Sequence, residues 1–172
     1  MRLHIGGEER KEGWTVLNAQ PGPQVDIVGN CTDLSAIASG SVEEVYASHV
    51  LEHLGYTTEL PQALREILRV LRPGGRLMAA VPDLEILCKL FVHPQSGPRE
   101  RWEIMRRIFG GQLDAFDVHK VGLWTEYFAG VLHEIGFVDI RRVESFGLFQ
   151  DGSTATFGGV PISLNVDARK PG

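Results

Sequence analysis

No apolar run in the sequence reaches the roughly 18 to 20 residues that a membrane-crossing helix needs, and only two cysteines, Cys31 and Cys88, occur in 172 residues. The first lack excludes a membrane-spanning helix. The second excludes a disulfide framework and any Cys-x-x-Cys metal pair; both thiols read as buried small apolar residues in a reducing compartment. Basic residues are also short, 17 Lys and Arg against 22 Asp and Glu, for a net charge of -5. Phosphate-tracking surfaces depend on clustered Lys and Arg, so nucleic acid is not an expected partner. The densest basic stretch, Arg99 to Arg107, has Glu100 and Glu103 interleaved, as on a solvated helix face. The opening MRLHIGGEERKEG has no apolar core of the signal-peptide type. The expectation is a cytoplasmic protein without membrane contact.

What is present is an ordinary globular composition, 43% hydrophobic and 23% charged, without repeats or low-complexity tracts. That composition and length suit a single domain over 1–172 with a substantial core. Short apolar runs bounded by turn residues predict strands at Leu3–Ile5, Trp14–Asn18, Val25–Asn30 and Val42–His49. Leu60, Leu64, Ile67 and Leu71 recur at helical spacing, predicting an amphipathic helix over about Glu59–Leu71. Thr57 or Thr58 suits its cap and RPGG its stop. The near-continuous apolar run Arg76–Pro82 reads as a parallel strand covered on both faces. Asp83 then caps a helix through about Phe91. Residues 93–121 form a polar excursion with one short helix, expected to act as lid and substrate wall. A helix over Thr125–Ile135, stopped by Gly136, and two closing strands complete the chain. This order predicts an α/β, Rossmann-like doubly wound, mostly parallel sheet, with a C-terminal antiparallel strand pair at its edge.

SHVLEHL, Ser48 to Leu54, contains His-x-x-Glu-His, the inverted form of a zinc-peptidase signature. Such a site needs a long helix to hold both imidazoles and a third ligand. Gly55 leaves room for barely a turn or two, and no downstream Glu or His stands in a recognisable ligand motif. No metal is expected, and Glu52 and His53 read as packing and surface residues. Strand ends have another meaning: ligands of open α/β sheets bind outside the carboxyl ends of the strands. Gly6, Gly7, Asn18, Asn30 to Asp33, Ser48, His49 and Pro82-Asp83 all fall there.

The succession LHIGG, GWTVLN, VDIVGNCTDL, GSVEEVYASHVLEHL and ALREILRVLRPGGRLMAAVPD resembles the class I S-adenosylmethionine-dependent methyltransferases. Within them it is similar to a compact subgroup, of methyltransferase type 11, with a short loop in place of the first helix. The resemblance covers about residues 2–92 and continues through HKVGLWTEYFAGVLHEIGF; LREILRVLRPGGRL is its most specific piece. It implies S-adenosyl-L-methionine as cofactor, methyl transfer, and a site mapped residue by residue; the charge balance favours a small-molecule acceptor over nucleic acid. Gly6 and Gly7 would let the backbone approach the methionine part, Asn18 would meet the ribose hydroxyls, and Asp33 with Leu34 would meet the adenine. Ser48 and His49 would lie beside the sulfonium, with His49 the nearest general base. Read from the residues alone, Asp33 equally suits a helix N-cap before LSAIA.

Three features depart from the family pattern. His4 stands before only Gly6-Gly7, where an acid and three spaced glycines are usual; the first helix has almost no room in EERKEG; and Asn18 replaces the ribose-binding acid. Each departure costs about 1 kcal/mol of cofactor binding, the scale of one hydrogen bond to a charged group. The residues therefore leave open a second reading, a non-catalytic Rossmann-like module with a decayed cofactor site.

Overall fold

The computed structural model describes residues 1–172. Five parallel strands build most of the sheet: β1 (Arg2–Ile5), β2 (Trp14–Asn18), β3 (Ile27–Val28), β4 (Val42–Ser48) and β5 (Leu71–Pro82). Two later strands, β6 (Val138–Val143) and β9 (Ser163–Arg169), complete it in the order β3-β2-β1-β4-β5-β9-β6. Only β9 runs against the others. A small hairpin, β7 (Thr156–Phe157) with β8 (Val160–Pro161), stands apart. The sheet is thus the Rossmann-like one that the alternation of elements predicts.

Several features differ in detail from the sequence expectations, β3 among them, which is shorter than Val25–Asn30. The closing strands are antiparallel, but β9 lies inside the sheet and β6 at its edge. Asp167 explains the placement: this buried carboxylate on β9 takes Arg76 of β5 at 2.8 Å and Arg141 of β6 at 2.8 Å, so the strand needs neighbours on both sides. β5 starts at Leu71, paired with Val42, and loops out through RPGG before pairing resumes at Arg76 with Glu44. The helix α1 (Glu59–Val70) has no side-chain cap from Thr58; the Glu59 carboxylate instead accepts from Gly55 N at 2.7 Å. Cys88 is exposed, whereas Cys31 is buried.

α1 buries Leu60, Ala63, Leu64, Ile67 and Val70 against one face of the sheet, and α4 (Thr125–Ile135) adds Phe128 and Leu132 beside it. Gly136, left-handed at φ 111°, ends α4 where the sequence places its stop. Asp83 caps α2 (Leu84–Val92), accepting from Ile86 N at 3.2 Å. α2 packs on α3 (Pro98–Phe109). No helix is long and apolar enough to cross a membrane.

The loop between β1 and β2 contains no helix, so half of the opposite face is left uncovered by the chain's first crossover. Residues 146–149 cover it. Phe149, with Phe146 and Leu148 beside it, packs on Trp14, Tyr46 and Met78, and Lys11 Nζ donates to Leu148 O at 2.7 Å. His4 belongs to this cluster, its ring 4.0 Å from that of Phe149 and 5.2 Å from that of Tyr46.

Burial among these rings holds the His4 pKa down to about 4, against the raising influence of Asp151 and Glu9. The folded state therefore binds fewer protons than the unfolded chain, whose histidine titrates near 6.5. The stability that neutral His4 permits is complete above about pH 6.5 and drains away as pH falls towards 4, by up to about 3 kcal/mol. Denaturant unfolding of wild type and His4→Leu should diverge in the variant's favour between pH 7 and pH 5. A pH-independent difference would show that His4 is not buried neutral.

Candidate active site

Strand order reverses between β1 and β4, whose connections leave in opposite directions, and a cavity of about 490 Å³ opens at their carboxyl ends. Its walls come from four strand ends: Gly6 after β1, Asn18 after β2, Gly29 to Cys31 after β3, and His49 and Val50 after β4. The size falls within the range of small-molecule sites, and so does the location.

Gly6 is required twice over. Its φ of 72° is left-handed, and a Cβ there would stand 2.3 Å from Val50 Cγ2. Gly7 answers to a different demand. A Cβ on it would strike the His4 ring at 2.6 Å, so Gly7 serves the packing on the far side of the sheet and does not line the cavity. Asn18 does line it, with part of its amide already spent: Nδ2 donates to Gly7 O at 3.3 Å and Oδ1 accepts from Gln20 N at 3.0 Å. One N–H and one lone pair remain for a ligand.

Asp33 and Leu34 lie outside the cavity lining. No helix follows Asp33; its Oδ1 accepts from Ser35 N at 3.0 Å in a tight turn on the surface, and that bond, with the Ser35 hydroxyl, lowers its pKa. Leu34 is buried in the main core. Arg69 imposes this geometry, donating to Leu34 O, Ile37 O and Ser39 Oγ while paired with Glu66. The wall falls instead to Asn30 and Cys31, three and two residues earlier. Burial pushes the Cys31 thiol up to about 11, so it acts as a small apolar surface.

Ser48 ends β4 beside the cavity, its hydroxyl buried without a partner. His49 takes a left-handed φ of 53°, unusual away from glycine, with its N–H on Ala80 O at 2.8 Å. The ring reaches the buried Glu52 with Nδ1 at 3.2 Å and Ser163 Oγ with Nε2 at 3.1 Å. Ser163 spends its one proton on Gly152 O at 2.6 Å, so both His49 nitrogens face acceptors. Burial lowers the His49 pKa, but the hydrogen bond and charge of Glu52 outweigh it and leave the pKa raised. A ring engaged on both sides has no lone pair free for a substrate proton. Sequence reading missed Glu52 in this role, because a lone carboxylate after a strand gives no sign of its burial.

Residues 93–121 border two cavities. The turn Asp114–Asp117, held by Asp114 Oδ1 on Phe116 N and Asp117 on Gly111 N, adjoins the first. Arg106, Arg107 and His119 join His49 and Pro82 around a second cavity of about 340 Å³. His49 lies on both.

Comparison with known proteins agrees with this geometry. The fold is one that solved methyltransferases share. Residues 10–79 match the family model described as a methyltransferase domain. A S-adenosylmethionine-dependent methyltransferase from Archaeoglobus fulgidus superposes with a TM-score of 0.63 at 15% identity, over 98% of this chain and 85% of that one. The Burkholderia thailandensis 1,6-didemethyltoxoflavin-N1-methyltransferase, solved with S-adenosylhomocysteine, gives 0.60 at 15% identity, over 99% and 71%. The CurJ carbon methyltransferase gives 0.61 at 16%, over 99% of this chain and 48% of its own length. The chain thus spans less than two-thirds of several structures it matches. No curated protein matches the sequence.

Gly6→Ala should cost about 3 kcal/mol in denaturant unfolding, of which about 1–2 kcal/mol is the left-handed backbone and the rest the clash with Val50. Val50→Ala added to it should recover the second part only. A Gly6→Ala protein as stable as wild type would mean that the β1 and β4 turns do not approach this closely.

Proposed function

We propose that the chain transfers a methyl group from S-adenosylmethionine to a small-molecule acceptor. The observation that carries this reading is the cavity at the strand-order reversal, whose β1 turn is bare backbone at the one point where a side chain cannot fit. The residues present fit the cofactor. Gly6 would take its methionine end, Asn18 its ribose, and Asn30 with Cys31 its adenine, while Ser48 and His49 would lie beside the reacting end. When bound, the cofactor supplies a methyl group already activated by a sulfonium leaving group.

The chain's own contribution is then alignment and exclusion of water. His49, pinned by Glu52 and Ser163, is a fixed wall between the two cavities and not a free base. An acceptor that keeps its nucleophilic lone pair at neutral pH needs none. The second cavity carries Arg106 and Arg107 with one carboxylate, Glu103, among its lining residues. This wall suits an acceptor bearing a negative group. The sequence match and the methyltransferases that share the fold support the reading.

Calorimetric titration with S-adenosylhomocysteine tests it. One site per chain is expected, with affinity lost in Gly6→Ala and changed by less than twofold in Asp33→Ala, which lies off the cavity. No heat at millimolar ligand would leave the chain as a non-catalytic module, the reading to which the engaged Asn18 amide would then belong. A large loss in Asp33→Ala would return the adenine to Asp33.

A further inference from the structure

The third donor that SHVLEHL lacks in sequence is brought to it by the fold. Glu52 O accepts from Lys120 N at 2.8 Å and Val121 N at 3.3 Å, which docks the end of the 93–121 segment onto the single turn Leu51–His53. His119 thereby sits edge-on to His53, ring centroids 4.9 Å apart. Glu52, His53 and His119 each offer one donor atom, and these lie within 4.8 Å of one another.

Two further observations point to a ligand there. Glu52 is 1% exposed, and its carboxylate is only partly satisfied. His49 Nδ1 contacts Oε1 at 3.2 Å, while Oε2 has no partner. A buried carboxylate left in this state is costly unless a cation completes it. The second observation concerns His53, whose Nδ1 lies 3.1 Å from Val118 O. A carbonyl partner makes Nδ1 the N–H and leaves Nε2 with its lone pair, the arrangement that metal-bound imidazoles carry.

We propose that Glu52, His53 and His119 bind a divalent first-row transition-metal ion, with His49 steadying the carboxylate through its other oxygen. One carboxylate and two imidazoles form a donor set for ions such as zinc or cobalt, whereas calcium and magnesium favour all-oxygen sites. The sequence expectation of no metal rested on the short turn before Gly55, which cannot hold His49 and His53 together as ligands, and on the missing third ligand; here Glu52 takes the place of His49, and His119 joins from 66 residues beyond His53. Three protein donors leave coordination positions open. His53 borders the first cavity and His119 the second, so a hydroxyl acceptor bound in an open position would lose its proton to solvent water at a lower pH than when free. That last role rests on the methyl-transfer reading; the metal site stands on the donors alone.

Titration of chelator-stripped protein with Co²⁺, followed by its visible ligand-field absorption, tests the site. Wild type should saturate at one equivalent. His119→Ala and Glu52→Gln should each bind at least tenfold more weakly, and His133→Ala, an exposed histidine of α4, should bind like wild type. Circular dichroism reports whether each variant folds; should Glu52→Gln unfold, the loop variant His119→Ala carries the comparison. Folded wild type without cobalt bands at millimolar Co²⁺, or equal affinity of wild type and His119→Ala, would overturn the proposal. No cofactor enters this titration, so its failure and a failure to bind S-adenosylhomocysteine are read separately.

Discussion

Everything at the carboxyl end of the sheet depends on how closely the turns after β1 and β4 approach. The two strands are hydrogen-bonded neighbours from Arg2 with Glu44 to Ile5 with Ala47, and their chains must then part to opposite faces. Gly6 takes a left-handed bend and Val50 fills the space its side chain would need. His49, forced into the same left-handed region, turns the chain sharply enough to sink Glu52 beneath the strand end. Strain in a histidine backbone persists only where the surroundings fix it. Here the fixing contacts are Ala80 O, Glu52 and Ser163, from three separate segments.

The same region shows how the fold tolerates the loss of a crossover helix. A parallel strand pair needs cover on both faces, and the β1–β2 loop is too short to supply it. The segment 146–149 does so from the other end of the chain, with aromatic rings in place of a helix. His4 then follows from packing: an acid at that position would be buried against Phe149 and Tyr46 without a partner, which would cost more than a neutral imidazole. Gly7 follows from His4, because the ring occupies the space a Cβ would take. His4, one of the departures from the family pattern, thus has a structural cause on the far side of the sheet from the cavity.

Most of the fold was legible in the sequence, since periodicity and turn residues are local. β2 and α4 fall where the pattern puts them, residue for residue at Trp14–Asn18 and Thr125–Ile135. The insertion of β9 between β5 and β6 was not legible, because a buried Asp on a strand does not announce which arginines will meet it. The site was legible in part. Gly6, Asn18 and His49 line the cavity; Asp33 and Leu34 do not, because Arg69 draws the 34–39 loop towards α1 and leaves Asn30 and Cys31 as the wall. The pairing of His49 with Glu52, and the approach of His119 to His53, are contacts between turns that no spacing rule encodes.

A crystal structure of the protein grown with S-adenosylhomocysteine tests the central claim most directly. The account predicts ligand density in the cavity between β1 and β4, its amino-acid end against the Gly6 backbone and its adenine against Asn30 and Cys31. Density in the second cavity alone, or an adenine held by Asp33 after rearrangement of the 31–39 loop, would contradict it.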